Sequence, residues 1–233
     1  MAFKIALSAG HGKNTLGKRC LKSLDPNETR EWVLNDRIAD RIEALLKDYD
    51  GYHLTRVDDT TGVNDVPLST RVNLANQVKA DFYLSIHHNA GVNGGAGGGV
   101  MAFVYNGNVS DATLEWQRAL YDMIVDATGL KGNRSEPLAR SNLYECRKTN
   151  MPAVLLELGF MDSSTDVPII LSEEFANKCA VAIVKVLVAR GGLTKKANNA
   201  IYKVQVGAYS NRSNAERMKE MLEADGYNAY ITT

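Results

Sequence analysis

Apolar residues in the first 189 positions of the chain follow two alternating patterns. Short runs that are apolar or alternate with polar residues predict strands at residues 4–8, 52–56, 81–87, 100–105 and 153–158. Between these runs, apolar residues recur every three or four positions, which predicts helices at residues 31–48, 67–79, 111–128 and 172–189. Several strands are apolar throughout, as in sheets covered on both faces. The pattern therefore predicts an α/β fold with a twisted, mostly parallel sheet and helices on both faces.

The pattern changes after residue 189. Residues 190–200 read RGGLTKKANNA, a small and polar stretch without periodicity that indicates a linker. Residues 201–233 predict a small βαβ unit: a strand with Tyr202, Val204 and Val206 on one side, a helix over residues 210–224, and a second strand over residues 227–231. We thus expect a main domain at residues 1–189, a linker at 190–200 and a small unit at 201–233. A unit of that size is marginal alone, so it is expected to pair with another copy or to pack on the main domain.

Composition narrows the classes of protein that fit. The 233 residues contain 27 Lys and Arg and 27 Asp and Glu, and this balance argues against a nucleic-acid or anionic-membrane binder. Cys20, Cys146 and Cys179 are odd in number and lack CxxC spacing, which argues against a disulfide framework. No apolar stretch is long enough for a membrane span, and the start MAFKIALSAGHG lacks the features of a signal peptide. We expect synthesis in the cytoplasm without a signal peptide.

Metal-binding and acid–base side chains lie at the ends of predicted elements. His11 follows the first strand between two glycines, His87 ends a buried strand, Glu31 opens a helix, and Glu157 lies in the apolar strand AVLLEL. The carboxyl ends of parallel strands meet at one edge of a sheet, where sites form. Hydrolytic zinc is often held by two His and one carboxylate, with a position left for water. A carboxylate in an apolar strand is costly unless it is paired or has a function. These donors are therefore candidates for one metal site.

The residues alone leave several alternatives open. His88 adjoins His87 and points the opposite way in a strand, so spacing does not decide which of them faces the site. Glu28 lies close to Glu31 in NETREW and competes for the same role. Each imidazole can equally be a hydrogen-bonded turn residue, and Glu157 can be a buried ion-pair partner. No HExxH pattern is present, which excludes the thermolysin type of zinc helix.

Ordered motifs give a more specific indication. The chain contains, in this order, SAGHGKNTLGKR, REWVLNDRIADRI, LTRVDD, LSTRVNLAN, ADFYLSIHHNAG and PAVLLELGF. Over residues 4–189 this series resembles the zinc-dependent N-acetylmuramoyl-L-alanine amidases of the type 3 family, which are bacterial autolysins and phage endolysins. The resemblance implies that His11, Glu31 and His87 bind Zn²⁺, in preference to Glu28 and His88, and that Glu157 is catalytic. It also implies cleavage of the amide between N-acetylmuramic acid and L-alanine by zinc-activated water. Family members usually have DPGHG where this chain has SAGHG.

The C-terminal unit is similar to one repeat of the SPOR cell-wall-binding domains. Those domains commonly contain two βαβ halves, whereas only one is present here. The resemblance implies peptidoglycan as the partner and a homodimer through the half-domain as one way to complete it. We expect action on the cell wall after release by phage lysis or mother-cell lysis. Two alternatives stay open: another zinc peptidoglycan hydrolase, such as a peptidase or a deacetylase, and a non-catalytic wall-binding protein.

Overall fold

The computed structural model describes residues 2–197 and 204–232. It divides into two compact units, with the boundary between Lys196 and Ala197. The strands and helices are, in chain order, β1 (Phe3–Ala9), α1 (Glu31–Leu46), β2 (Tyr49–Asp50), β3 (Tyr52–Arg56), α2 (Leu68–Gln77), β4 (Phe82–Asn89), β5 (Val100–Tyr105), α3 (Asp111–Thr128), β6 (Leu138–Ser141), α4 (Tyr144–Lys148), β7 (Ala153–Phe160), α5 (Val167–Ile170), α6 (Glu173–Gly191), β8 (Thr194–Lys195) and α7 (Arg212–Ala224).

The first unit is built on a six-stranded sheet with the order β3-β1-β4-β7-β5-β6. Strands β3, β1, β4 and β7 are parallel to one another, whereas β5 is antiparallel to β7 and parallel to β6. The predicted mostly parallel sheet is thus confirmed. The antiparallel direction of β5 was not predicted from the sequence. Only residues 90–99 connect β4 to β5. A parallel return in one sheet needs a crossover of about a dozen residues or more, so a shorter loop favours the opposite direction.

Two apolar layers enclose the sheet, as predicted. Leu84 and Ile86 of β4 belong to the larger core, which is completed by α1, α3 and α6. Tyr83 of the same strand belongs to a smaller core on the other face, together with Ala75 of α2. This alternation along β4 follows from the pleat of a strand, which sends successive side chains to opposite faces. Helices therefore cover both faces.

The end of the first unit corrects the predicted linker. Helix α6 begins after Ser172, whose side chain accepts a hydrogen bond from the Phe175 N–H, and it continues to Gly191. Gly192 then adopts a left-handed conformation with φ of 66°, the usual stop at a helix C-terminus. Strand β8 follows and pairs antiparallel with β2. The linker prediction is wrong for residues 190–195, because the glycines end a helix instead of making the chain flexible.

The second unit contains one described helix. Helix α7 confirms the helix predicted over residues 210–224, and the Asn211 side chain caps its start by accepting from the Ser213 N–H. Val204 and Val206 form no strand, and neither do residues 227–231, within the part of the chain that the structure describes. Tyr202 lies outside the described residues.

The three cysteines are free, with Cys20 and Cys179 buried, and burial raises the pKa of Cys20 to about 12. Among residues 2–197 and 204–232, no helix combines the length and the apolarity that crossing a membrane requires.

The central strand β4 offers a test of the core. Leu84 is fully buried, whereas Leu68 at the start of α2 is 46% exposed. We expect Leu84→Ala to lower the free energy of unfolding by about 3 kcal/mol, because it removes apolar contacts and leaves a cavity. The matched variant Leu68→Ala should change it by less than about 0.5 kcal/mol. Chemical denaturation measures both, and equal losses in the two variants would contradict this core assignment.

Candidate metal centre and active site

Three neighbouring strands bring the predicted site residues to one edge of the sheet. His11 comes two residues after β1, and His87 lies near the carboxyl end of β4. Strand β4 lies between β1 and β7, and His87 is directly opposite Glu157 in the β4–β7 register. Because these strands are parallel, their carboxyl ends share one edge. The expected meeting of polar side chains at that edge is confirmed.

The backbone after β1 is shaped for close approach to His87. A Cβ atom on Gly10 would lie 2.1 Å from Cε1 of His87, so only glycine fits at this position. His11 follows with φ of 67°, a left-handed conformation that is uncommon for residues other than glycine. The two imidazole rings are perpendicular, with centroids 5.0 Å apart. The tight turn thus places the His11 ring beside His87.

His11, Glu31 and His87 converge on one point. One donor atom from each side chain lies within 4.8 Å of the other two. Glu31 Oε1 is 3.4 Å from Nε2 of His11 and 3.0 Å from Nδ1 of His87. Glu31 is 1% exposed, and its Oε2 has no hydrogen-bond partner in the described part of the chain, although Lys18 Nζ lies 3.6 Å away. Two imidazoles and a carboxylate are the donors zinc takes in hydrolases, so this cluster fits Zn²⁺.

The competing residues lie elsewhere. Glu28 forms an ion pair with Arg19, 3.2 Å away, and is not a member of the cluster. His88 points toward α1, where its Nδ1 lies 2.8 Å from Asn35 Oδ1, while Asn35 Nδ2 donates to the Gly10 carbonyl. Burial lowers the pKa of His88 to about 3, so its ring is neutral. Glu31 and His87 therefore belong to the set of possible metal ligands, whereas His88 contacts Asn35 of α1.

Opposite charges balance within the cluster. Burial alone would raise the pKa of Glu31, but hydrogen bonds from His11 and His87 hold it well below its usual range. Burial lowers the pKa of His87, yet the carboxylates of Glu145 and Glu31 outweigh burial and raise that pKa to about 10. The His87 imidazole and the Glu31 carboxylate thus favour each other's charged form. A bound cation would take over the role of the charged imidazole and displace its proton.

Glu157 is a second carboxylate in a different environment. Its Oε2 atom is buried and lacks a hydrogen-bond partner among the residues described. Burial raises the pKa of Glu157 to about 7. The side chain lines a cavity of about 300 Å³, together with Leu16, Gly17, Lys18, His88, Asn89, Ala90 and Met161. A carboxyl group with a pKa near neutrality, open to a cavity, is suited to accept and return a proton.

A buried polar network lies behind the site and was not predicted from the sequence. Glu145 of α4 is 3% exposed and accepts hydrogen bonds from Tyr83 Oη at 2.5 Å and Ser85 Oγ at 3.2 Å. Tyr83, Ser85 and His87 alternate along β4, so the period of two was an available signal for one polar side of this strand. No local pattern pointed to Glu145, because it lies on a five-residue helix.

Arg71 of α2 was missed as well. It is 1% exposed and donates to the carbonyls of Ala9 and His11 and to Ser8 Oγ. These bonds hold the backbone at the carboxyl end of β1. Asp65 lies between Arg71 and His11: its Oδ1 is 3.4 Å from Arg71 Nη2, and its Oδ2 is 4.0 Å from His11 Nδ1.

Comparison with known proteins agrees with the geometry. A family model described as N-acetylmuramoyl-L-alanine amidase matches residues 5–189, and a SPOR domain model matches residues 198–233. Over 229 residues the chain is 30% identical to the sporulation-specific N-acetylmuramoyl-L-alanine amidase of Bacillus subtilis, covering 98% of this chain and 84% of that protein. It is 31% identical over 230 residues to an N-acetylmuramoyl-L-alanine amidase of Bacillus licheniformis, with the same two coverages.

Solved structures show the same architecture. The crystal structure of an N-acetylmuramoyl-L-alanine amidase from Clostridium difficile matches with a TM-score of 0.72 and 26% identity, over 81% of this chain and 96% of that one. The catalytic domain of an amidase from Bacillus (Paenibacillus) polymyxa shares the fold, with a TM-score of 0.70 and 23% identity over 81% and 97% of the two chains. The family model spans most of the chain, so this protein belongs to the N-acetylmuramoyl-L-alanine amidase family and is an amidase that carries a C-terminal SPOR domain match.

Proposed function

We propose that this amidase uses Zn²⁺ held by His11, Glu31 and His87 to hydrolyse the amide between N-acetylmuramic acid and L-alanine in peptidoglycan. The observation that carries the proposal is the placement of Glu157. It stands opposite His87 in the sheet, close enough to His87 and Glu31 to interact with their charges, and burial raises its pKa. Metal-assisted hydrolysis requires a set of side chains that binds a metal ion and, next to it, a carboxylate that is not already paired.

The metal and the protein have separate tasks. When bound, zinc supplies Lewis-acid chemistry, because it acidifies water and polarises the carbonyl of the scissile amide. Glu157, which lines the cavity, accepts a proton from the attacking water. It then donates that proton to the amine of the departing L-alanine. Its pKa of about 7 suits both directions of transfer near neutral pH.

Other residues hold these groups in place. Glu31 is fixed at the first residue of α1, and its ionised state follows from the imidazoles on either side. Gly10 leaves room for the His87 ring, and Asn35 links the Gly10 carbonyl to His88. Lys18 lies at the cavity, 3.6 Å from Glu31 Oε2. The lining of the cavity is consistent with a polar, peptide-like substrate.

We also propose a role for the second unit. In this view the first unit, which ends at Lys196, is the amidase domain, and residues 201–233 form a SPOR-like half-domain that binds the cell wall. Two relatives are named as a sporulation-specific amidase and a probable cell wall amidase, which supports action on the wall. Release by phage lysis or mother-cell lysis is part of this proposal. Val204, Val206 and Met221 are each more than half exposed, and α7 has no buried residue. Pairing with a second copy of this chain would cover these apolar groups.

Removal of metal tests the cofactor. Treatment with a chelator should abolish the release of new N-terminal alanine from peptidoglycan, and added Zn²⁺ should restore it, because the donor set favours zinc over Mg²⁺. Added Mg²⁺ is the control and should not restore release. The thermal midpoint should also fall on chelation, since metal binds only the folded chain. A metal-free protein that retains full activity would overturn the zinc proposal, and release of acetate in place of alanine would indicate a deacetylase.

Substitution of the proposed base tests the mechanism. Glu157→Gln keeps the size of the side chain but removes the proton acceptor, so we expect zinc content near that of the parent protein and a fall in turnover of about 10²–10⁴-fold. Glu174→Gln makes the same change at a 75% exposed residue of α6 and serves as the control. Near-parental turnover in the zinc-loaded Glu157→Gln protein would show that another group is the base.

The oligomeric state tests the pairing of half-domains. We expect light scattering to give twice the chain mass at micromolar concentration, and Met221→Asp to return it to one chain mass, because a charge would be buried in the contact. Arg217→Asp, on the same helix, should leave the mass doubled. A single chain mass for the parent protein at all concentrations would contradict the pairing.

A further inference from the structure

One side of β4 carries a row of polar side chains that ends at His87, one of the three proposed metal ligands. Tyr83, Ser85 and His87 alternate along the strand and point to the face that is covered by α2 and α4. Glu145 of α4 meets all three side chains: Tyr83 and Ser85 donate to its Oε1, while its Oε2 lies 3.9 Å from Nε2 of His87. A single buried carboxylate therefore faces the row, and its second oxygen is directed at His87.

The two nitrogens of the His87 ring face two different carboxylates. Nδ1 lies 3.0 Å from Glu31 Oε1, the same carboxylate oxygen that lies 3.4 Å from Nε2 of His11. Nε2 is buried, and no residue in the described ranges hydrogen-bonds to it within normal geometry. A metal ligand must be an unprotonated nitrogen, so an Nδ1 ligand requires the ring proton on Nε2. Glu145 Oε2, 3.9 Å away, is an acceptor for that proton.

We propose that Glu145 is a positioning residue that holds His87 in the Nε2–H tautomer and fixes its ring for metal binding through Nδ1. The inference rests on the zinc site proposed above. Carboxylates that accept the far N–H of a ligand imidazole orient the ring and strengthen its basicity, and their loss costs about 10–100-fold in metal affinity or activity. Closing the 3.9 Å separation to a hydrogen bond needs only a small movement of either side chain.

The surroundings of Glu145 are suited to this role. The carboxylate is buried, and Tyr83 Oη and Ser85 Oγ both donate to its Oε1. Ser8 Oγ lies 3.4 Å from Oε1 of Glu145 and accepts from Arg71. Hydroxyl groups thus occupy Oε1, and Oε2 remains directed at His87. The carboxylate can accept from the ring but cannot donate to it.

The variant Glu145→Gln separates positioning from general packing. Glutamine can keep its oxygen at the Oε1 position, where it still accepts from Tyr83 and Ser85, but it presents an N–H donor to Nε2 of His87. That donor favours the tautomer with the proton on Nδ1, the atom that must bind metal. Tyr83→Phe is the matched control, because it removes a hydrogen bond from the same carboxylate and leaves the carboxylate facing His87.

The experiment measures zinc affinity of the full chain by competition with a chelator of known affinity, together with the thermal midpoint of the metal-free protein. We expect Glu145→Gln to weaken zinc binding about 10–100-fold with a metal-free midpoint close to that of the parent. Tyr83→Phe should lower the midpoint and change zinc affinity by less than about 3-fold. Unchanged affinity in Glu145→Gln, or equal loss in both variants, would overturn the positioning role. Failure of the parent chain to bind zinc would instead refute the proposed function.

A spectroscopic measurement on the parent chain covers the case in which Glu145→Gln does not fold. In zinc-loaded protein labelled with ¹⁵N at histidine, two-bond ¹H–¹⁵N spectra report the protonated nitrogen of each ring. We expect His87 to carry its proton on Nε2 and its metal on Nδ1. Metal on Nε2 would overturn the inference, because Glu145 would then face the wrong atom.

Discussion

Glu31 loses nearly all contact with water at the first residue of α1, and an ionised carboxylate in that position costs several kcal/mol unless opposite charge compensates. Two imidazoles provide the compensation, and the positive end of the α1 dipole adds to it. Each imidazole must come from a different strand end, because neither strand alone reaches both sides of the carboxylate. The parallel pairing of β1 with β4, the glycine at position 10 and the left-handed backbone at His11 all serve that requirement.

The contrast between the two carboxylates at this edge gives the site its chemistry. Glu31 receives hydrogen bonds and remains ionised, so it is suited to hold a cation. Glu157 is on the next strand, lacks such partners, and has a pKa close to neutrality. Carboxyl groups whose environments push their pKa values apart take different roles in catalysis. The difference between the two pKa values follows from the sheet. Strand β7 places Glu157 opposite His87, whereas the imidazoles of His11 and His87 form their hydrogen bonds with Glu31.

Periodic patterns predicted the parts of the fold that depend on local sequence. The bounds of α3 and β5 agree with prediction, because an N-cap at Ser110 and a stop at Gly129 define the helix and apolar positions define the strand. The structure also brings together His11, Glu31 and His87, although their binding of metal stays a prediction. Long-range features were not accessible: Glu145 lies 58 residues from His87 in the numbering yet meets it across the sheet. The sequence prediction misread Gly191 and Gly192 at the end of α6 as part of a linker, since glycine marks both linkers and helix ends.

The pairing of β8 with β2 has a consequence for engineering. Strand β2 immediately precedes β3, and the Gly51 carbonyl between them accepts from the Phe3 N–H at the start of β1. The first unit therefore finishes at the amino ends of its parallel strands, on the opposite edge from the imidazoles and Glu157. A reporter or an alternative anchoring module fused after residue 196 would leave from that edge. A module joined to the first unit at this point would therefore be attached at the edge away from the cavity that Glu157 lines.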